Sequence, residues 1–200
     1  MKNKFLEISH NLNPTDFSVV VFYSFLSFLN IIFHQDVGLW WLLVLINIGV
    51  IILVYAIANR HANHDSFWNR QIHYWYTAPL ILLTFKELYL MIKPIRKVDY
   101  DHVLIAIDRW ILGFDPTIEL SKIAHPILTE FLQIVYATFY FLPMILAISL
   151  YKKNKLVATD FVIFSTVYGF FVSYIGYILV PAVGPRSEEH TSELQSLTNL

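Results

Sequence analysis

Long unbroken apolar blocks constrain this chain more than any other feature. Five stand out, at residues 17–33, 39–58, 75–92, 127–151 and 161–180. A helix crosses the hydrocarbon of a bilayer with about 20 predominantly apolar residues. A lone open strand leaves its backbone unsatisfied in lipid, so helices are the expected form of every block. Hydrophobic residues make up 56% of the chain and mean hydropathy is +0.55. A soluble domain has about half its residues apolar but spreads them among charges. The expected fold class is therefore an all-α integral membrane protein, a helical bundle of about five transmembrane helices.

Local signals refine this. Asn13-Pro14-Thr15-Asp16 reads as a helix start. No small-residue cleavage site follows the first block, so it is expected to anchor rather than be removed. Trp40 and Trp41 suit the interface at one end of the second block, and Tyr74-Trp75-Tyr76 lead the third. Pro143 lies inside the fourth. Residues 101–114, DHVLIAIDRWILGF, put Val103, Leu104, Ile107, Trp110 and Ile111 on one helical stripe, with Gly113 and Pro116 as punctuation. This stretch is too short to span and is expected to form an interfacial helix.

Lys and Arg in short loops favour the cytoplasmic side. Lys2 and Lys4, Arg60 and Arg70, and Lys152, Lys153 and Lys155 agree on a cytoplasmic N-terminus in a multi-pass plasma-membrane protein. Lys93, Arg96, Lys97, Arg109 and Lys122 run against that orientation, but they sit in the longest loop, which weighs less. The formal net charge of −1 turns weakly positive once Glu188, Glu189 and Glu193 are set aside, and nothing in it points to nucleic acid. With no Cys, disulfides, iron–sulfur clusters and thiolate catalysis are excluded.

Several residues invite a chemical reading. Lys86 and Glu87 lie inside an apolar block, where ionisable groups are functional candidates, although both are near enough to its outer end to snorkel. His61 and His64, with Asp65 nearby, have a spacing that suits a shared metal, but no third ligand follows and a solvated cytoplasmic loop is the simpler expectation. His125-Pro126 reads as helix-start punctuation. Ser165, Gly169, Ser173 and Gly176 form a small-residue stripe that predicts close packing of the fifth helix inside the bundle. Finally, Pro181-Ala-Val-Gly-Pro-Arg186 makes a rigid corner after the last block, presenting a guanidinium suited to phosphate oxygens at the water boundary.

Three stretches together resemble the type 2 phosphatidic acid phosphatase superfamily, in its inositol phosphorylceramide synthase-like branch. They are DRWILGF at 108–114, FYFLPMILAISLY at 139–151 and GYILVPAVGPR at 176–186. The resemblance implies a metal-free, cofactor-free phosphatase or phosphotransferase acting on a lipid phosphate at the outer membrane face. One His forms a phosphohistidine and a second protonates the leaving alcohol. Such chemistry rests on in-line positioning and cationic stabilisation. Arg186 would bind phosphate, Gly184 and Pro185 would shape its loop, and Asp108 would support the site from the interfacial helix. The usual Lys before the Arg is absent.

The family places its Ser-x-His motif, a sixth spanning helix and a His…Asp pair after this Arg, and none is present. The final stretch, RSEEHTSELQSLTNL, is similar to a translated sequencing adapter, and His190 within it fits no family motif. The expectation is therefore a bundle truncated from a six-helix core and inactive as given, with no catalytic residue in the chain. Its divisions would be 1–98 (N-terminal helices), 99–186 (partial phosphotransferase domain) and 187–200 (non-native or disordered tail). The competing expectation is a non-enzymatic membrane protein, a transporter subunit or scaffold.

Overall fold

A computed structural model describes residues 11–64, 66–96, 100–123 and 125–182. They form helices α1 (Pro14–Ile32), α2 (Trp40–Asn63), α3 (Phe67–Trp75), α4 (Thr77–Ile95), α5 (Asp101–Leu112), α6 (Pro116–Ser121), α7 (Pro126–Lys152) and α8 (Leu156–Leu179), with no strand among the described residues. Four of them, α1, α2, α7 and α8, are long and apolar enough to cross a membrane. The all-α membrane reading is thus supported by length and composition. Helix α4 has 19 residues and carries Lys86, Glu87 and Lys93.

Helix starts follow the sequence closely. Asn13 caps α1 through a capping box: Asp16 N–H donates to Asn13 Oδ1 (2.8 Å), Asn13 N–H donates to Asp16 Oδ2 (3.0 Å), and Pro14 takes the first turn. Ser66 caps α3, and Asn69 Nδ2 donates back to the His64 carbonyl at 2.7 Å. The third apolar block is not entered as one helix from Trp75. α3 ends there and α4 begins after Tyr76. Pro79 explains the break, since its ring crowds the carbonyl four residues back, at Trp75, and it has no N–H to donate there.

The chain separates into two compact units. The first comprises Met1–Ile95 and Phe141–Ile175, the second Arg96–Tyr140 and Gly176–Leu200, so α7 and α8 each contribute to both. The first unit is held by the buried face of α1. Its residues Asp16, Val19, Tyr23, Leu26 and Asn30 recur at the three- and four-residue steps of a heptad seam. The buried residues Thr77, Leu80, Thr84, Glu87 and Met91 of α4 recur in the same steps, and the helix packed most closely along α1 is α2. From α8, Phe171 stacks on Phe22 with ring centroids 4.2 Å apart and planes 3° from parallel, and Tyr174 Oη–H donates to the Ile81 carbonyl at 2.8 Å.

Packing of α8 differs from expectation. Ser165, Gly169, Ser173 and Gly176 are all exposed, and a Cβ added at Gly169 or Gly176 meets nothing within 4 Å. The buried stripe is Thr159, Val167, Phe171 and Tyr174. The physical reason is that the aromatic pair fills more space and supplies a hydrogen bond, so the bulky side turns inward. On α7 only Ala147 is buried among the described residues. An apolar helix exposed all round suits lipid as its surroundings.

In the second unit, α5 runs for 12 residues and ends at Gly113, whose φ of 76° is left-handed and whose N–H donates to the Arg109 carbonyl at 2.9 Å. This is the stop expected there. Pro116 opens the six-residue α6. No residue of α5 is buried, and Trp110 at 84% exposure heads its uncovered apolar stripe.

Candidate functional site

Three polar anchors punctuate the buried face of α1. At the first turn of α1, Asp16 is fully buried. Its Oδ2 accepts from His73 Nε2 (2.8 Å) as well as from Asn13 N–H, and its Oδ1 accepts from the Tyr76 hydroxyl at 2.6 Å. Two turns on, the Tyr23 hydroxyl lies 2.8 Å from Thr84 Oγ1. Thr84 donates its own proton to the Leu80 carbonyl at 2.7 Å, so Tyr23 is the donor of that pair. Two further turns on, Asn30 of α1 donates through Nδ2 to Glu87 Oε1 of α4 at 3.1 Å. Asn47 of α2 donates to the same oxygen at 2.8 Å. The second and third anchors ascend together on both helices, so α1 and α4 run parallel.

The Glu87 cluster is the most unusual of the three. Asn30 and Asn47 are each 0% exposed and Glu87 is 6% exposed. Both amide donors go to one carboxylate oxygen, while Asn30 Oδ1 and Asn47 Oδ1 are buried and accept from nothing among the described residues. Among those residues no basic side chain pairs with Glu87. Charged side chains inside a membrane are costly and mark functional positions. The neighbouring Lys86 is exposed. The adjacent pair thus divides: snorkelling remains open to Lys86, whereas Glu87 points into the bundle.

A second group of polar residues gathers around α3. The His61 and His73 rings lie 4.9 Å apart, and His73 stacks parallel to Tyr76. The Tyr74 phenol is pushed up to about 12, first by burial and then by the charge of Asp160 on α8. Gln71 Nε2 donates to the Tyr151 hydroxyl, and Trp75 Nε1 donates to Gln71 Oε1 at 2.9 Å. His61 therefore belongs to α2 rather than to a solvated loop, and His64 follows as the C-cap. Asp65 lies outside the described residues. Among the described residues no group of His, Asp and Glu is suited to a metal.

Of the residues expected to bind phosphate, Gly184, Pro185 and Arg186 lie outside the described residues. Asp108 is an exposed residue of α5. The next residue, Arg109, pairs with Asp115 at 2.9 Å. At the start of α5, Tyr100 N–H donates to the Pro181 carbonyl at 3.1 Å.

Sequence reasoning passed over Asn30, Asn47, Tyr23, Thr84, Asp16, His73 and Tyr76 as site residues. The available signal was the seven-residue recurrence of Asp16, Tyr23 and Asn30 through an otherwise apolar helix. Compared with protein-family models, curated proteins and solved structures, this chain matches none.

Proposed function

We propose that this chain is the membrane portion of a lipid-phosphate phosphatase or phosphotransferase that works through a phosphohistidine at the outer membrane face. In this reading α4 is a fifth crossing, α5 lies in the interface, and the N-terminus is cytoplasmic. One observation carries it, the hydrogen bond from Tyr100 N–H to the Pro181 carbonyl. It links the start of the helix holding Asp108 to the corner that leads into Gly184, Pro185 and Arg186. Two of the three stretches that carry the family resemblance fall in that same compact unit. The uncovered apolar stripe of α5 adds support, because a helix too short to span is stable with that face in the headgroup region. A guanidinium held there would grip phosphate oxygens in a fork and offset charge spreading over the phosphoryl group.

The test is lipid-phosphate turnover in vesicles by a chain that carries the genomic continuation past the Pro185 codon, beside its Arg186→Ala variant. Turnover that falls at least about 100-fold in the variant is the expected result. Equal turnover removes Arg186 from the site, and a native stop codon after Leu200 ends the phosphotransfer reading. A non-enzymatic transporter subunit is the second reading, favoured by the buried acid Glu87 and its two amide partners. It predicts that Glu87→Gln impairs solute uptake in vesicles and that Arg186→Ala does not.

A further inference from the structure

Hydrogen-bond accounting leaves the Glu87 cluster incomplete. Two donors, Asn30 Nδ2 and Asn47 Nδ2, are both spent on Glu87 Oε1. Two acceptors, Asn30 Oδ1 and Asn47 Oδ1, have no donor among the described residues, and the carboxylate has no cationic partner among them. Each buried unpaired oxygen is costly, and an uncompensated charge more so. A proton on Glu87 removes the charge, but a carboxyl group has a single O–H and satisfies one of the two amide oxygens at most. A bridging water supplies two donors and leaves the charge in place. One small cation answers all three needs at once. It offsets one negative charge and attracts both amide oxygens, and a hard cation prefers oxygen ligands of this kind.

We infer that Glu87, Asn30 and Asn47 form a binding site for one small monovalent cation, with sodium as the natural probe. Glu87 supplies the charge and the two amide carbonyls supply neutral oxygens. The site joins three helices whose sequence positions are far apart, so occupancy ties α1, α2 and α4 together. A single carboxylate matches a single positive charge, whereas a divalent ion would stay undercompensated in this seam. The inference stands apart from the phosphotransfer reading, since none of its residues lies in the stretches that carry the family resemblance.

The experiment follows thermal unfolding of the full chain in detergent micelles at fixed pH. Sodium chloride replaces choline chloride stepwise at constant ionic strength. Binding to the folded state alone raises the midpoint as sodium rises, by about 6–12 °C between 1 and 300 mM for a site of about 1 mM affinity. Glu87→Gln, which keeps the shape and removes the charge, should abolish the sodium dependence, and Asn47→Leu should shift it to at least tenfold higher sodium. Equal midpoints for the wild type in sodium and choline overturn the inference, as does a sodium shift that survives in Glu87→Gln. If a variant does not fold, the wild-type comparison decides alone. A Glu87→Gln protein that is more stable than a sodium-insensitive wild type identifies a protonated carboxyl group instead, and also overturns it.

Discussion

Replacing Asp16 with alanine should destabilise the bundle more than any other single change at the α3 end. The side chain is fully buried and accepts from three donors: Asn13 N–H at 3.0 Å, His73 Nε2 at 2.8 Å and the Tyr76 hydroxyl at 2.6 Å. Loss of the capping interaction costs about 0.5–2 kcal/mol. The His73 and Tyr76 donors are then stranded, at about 1–3 kcal/mol each for buried groups. Because neighbouring losses overlap, the total should be about 3–5 kcal/mol. Asp16→Asn keeps the size and one acceptor and should cost about half as much. Asp36→Ala, at an exposed position in the α1–α2 loop, should change stability by less than about 0.5 kcal/mol. The assay is denaturant unfolding in micelles followed by tryptophan fluorescence, with all variants measured together. If Asp16→Ala proved no worse than Asp36→Ala, the bonds to His73 and Tyr76 would not fasten α1 to the α3–α4 junction and the reasoning would fail.

Two other outcomes follow from the same geometry. Thr84→Val and Tyr23→Phe should each destabilise by about 1 kcal/mol, and the double variant by less than their sum, because both remove one hydrogen bond; strict additivity in the unfolding assay would contradict the pairing. Tyr74 should ionise near its raised value of about 12 rather than at 10.0. Since its folded value lies above the ordinary one, its share of stability is intact below pH 10.0 and is lost as pH climbs toward about 12. Absorbance at 295 nm, compared with Tyr74→Phe, checks this, and a missing high-pH step in the difference curve would count against it.

Local signals made much of the fold legible. The Asn13-Pro14-Thr15-Asp16 start is a complete capping box, because each bond spans three residues and needs no distant partner. Gly113 ends α5 in the left-handed conformation that glycine accepts most readily. The helix break before Thr77 was also present in the sequence, in Pro79, but an apolar block hides it when only hydropathy is followed. What could not be read locally was pairing. Asn30 and Asn47 are the lone amide side chains of their apolar runs, and their common partner Glu87 lies 57 and 40 positions away. Nothing in either run announces which helix it meets. The small stripe of α8 misled for a related reason: small residues permit close approach, but they do not compel it when Phe171 and Tyr174 on the other side find partners.

The N-terminal helices, which carry none of the family resemblance, thus hold a chain of buried polar anchors, and the clasped carboxylate is its most consequential member. A double-mutant cycle on Glu87→Gln and Asn47→Leu, read as unfolding free energy in micelles, tests that claim most directly. The two residues are 2.8 Å apart and both are buried, so the coupling should be about 0.6–1.7 kcal/mol. Two single effects that simply add, with coupling below about 0.3 kcal/mol, would contradict it.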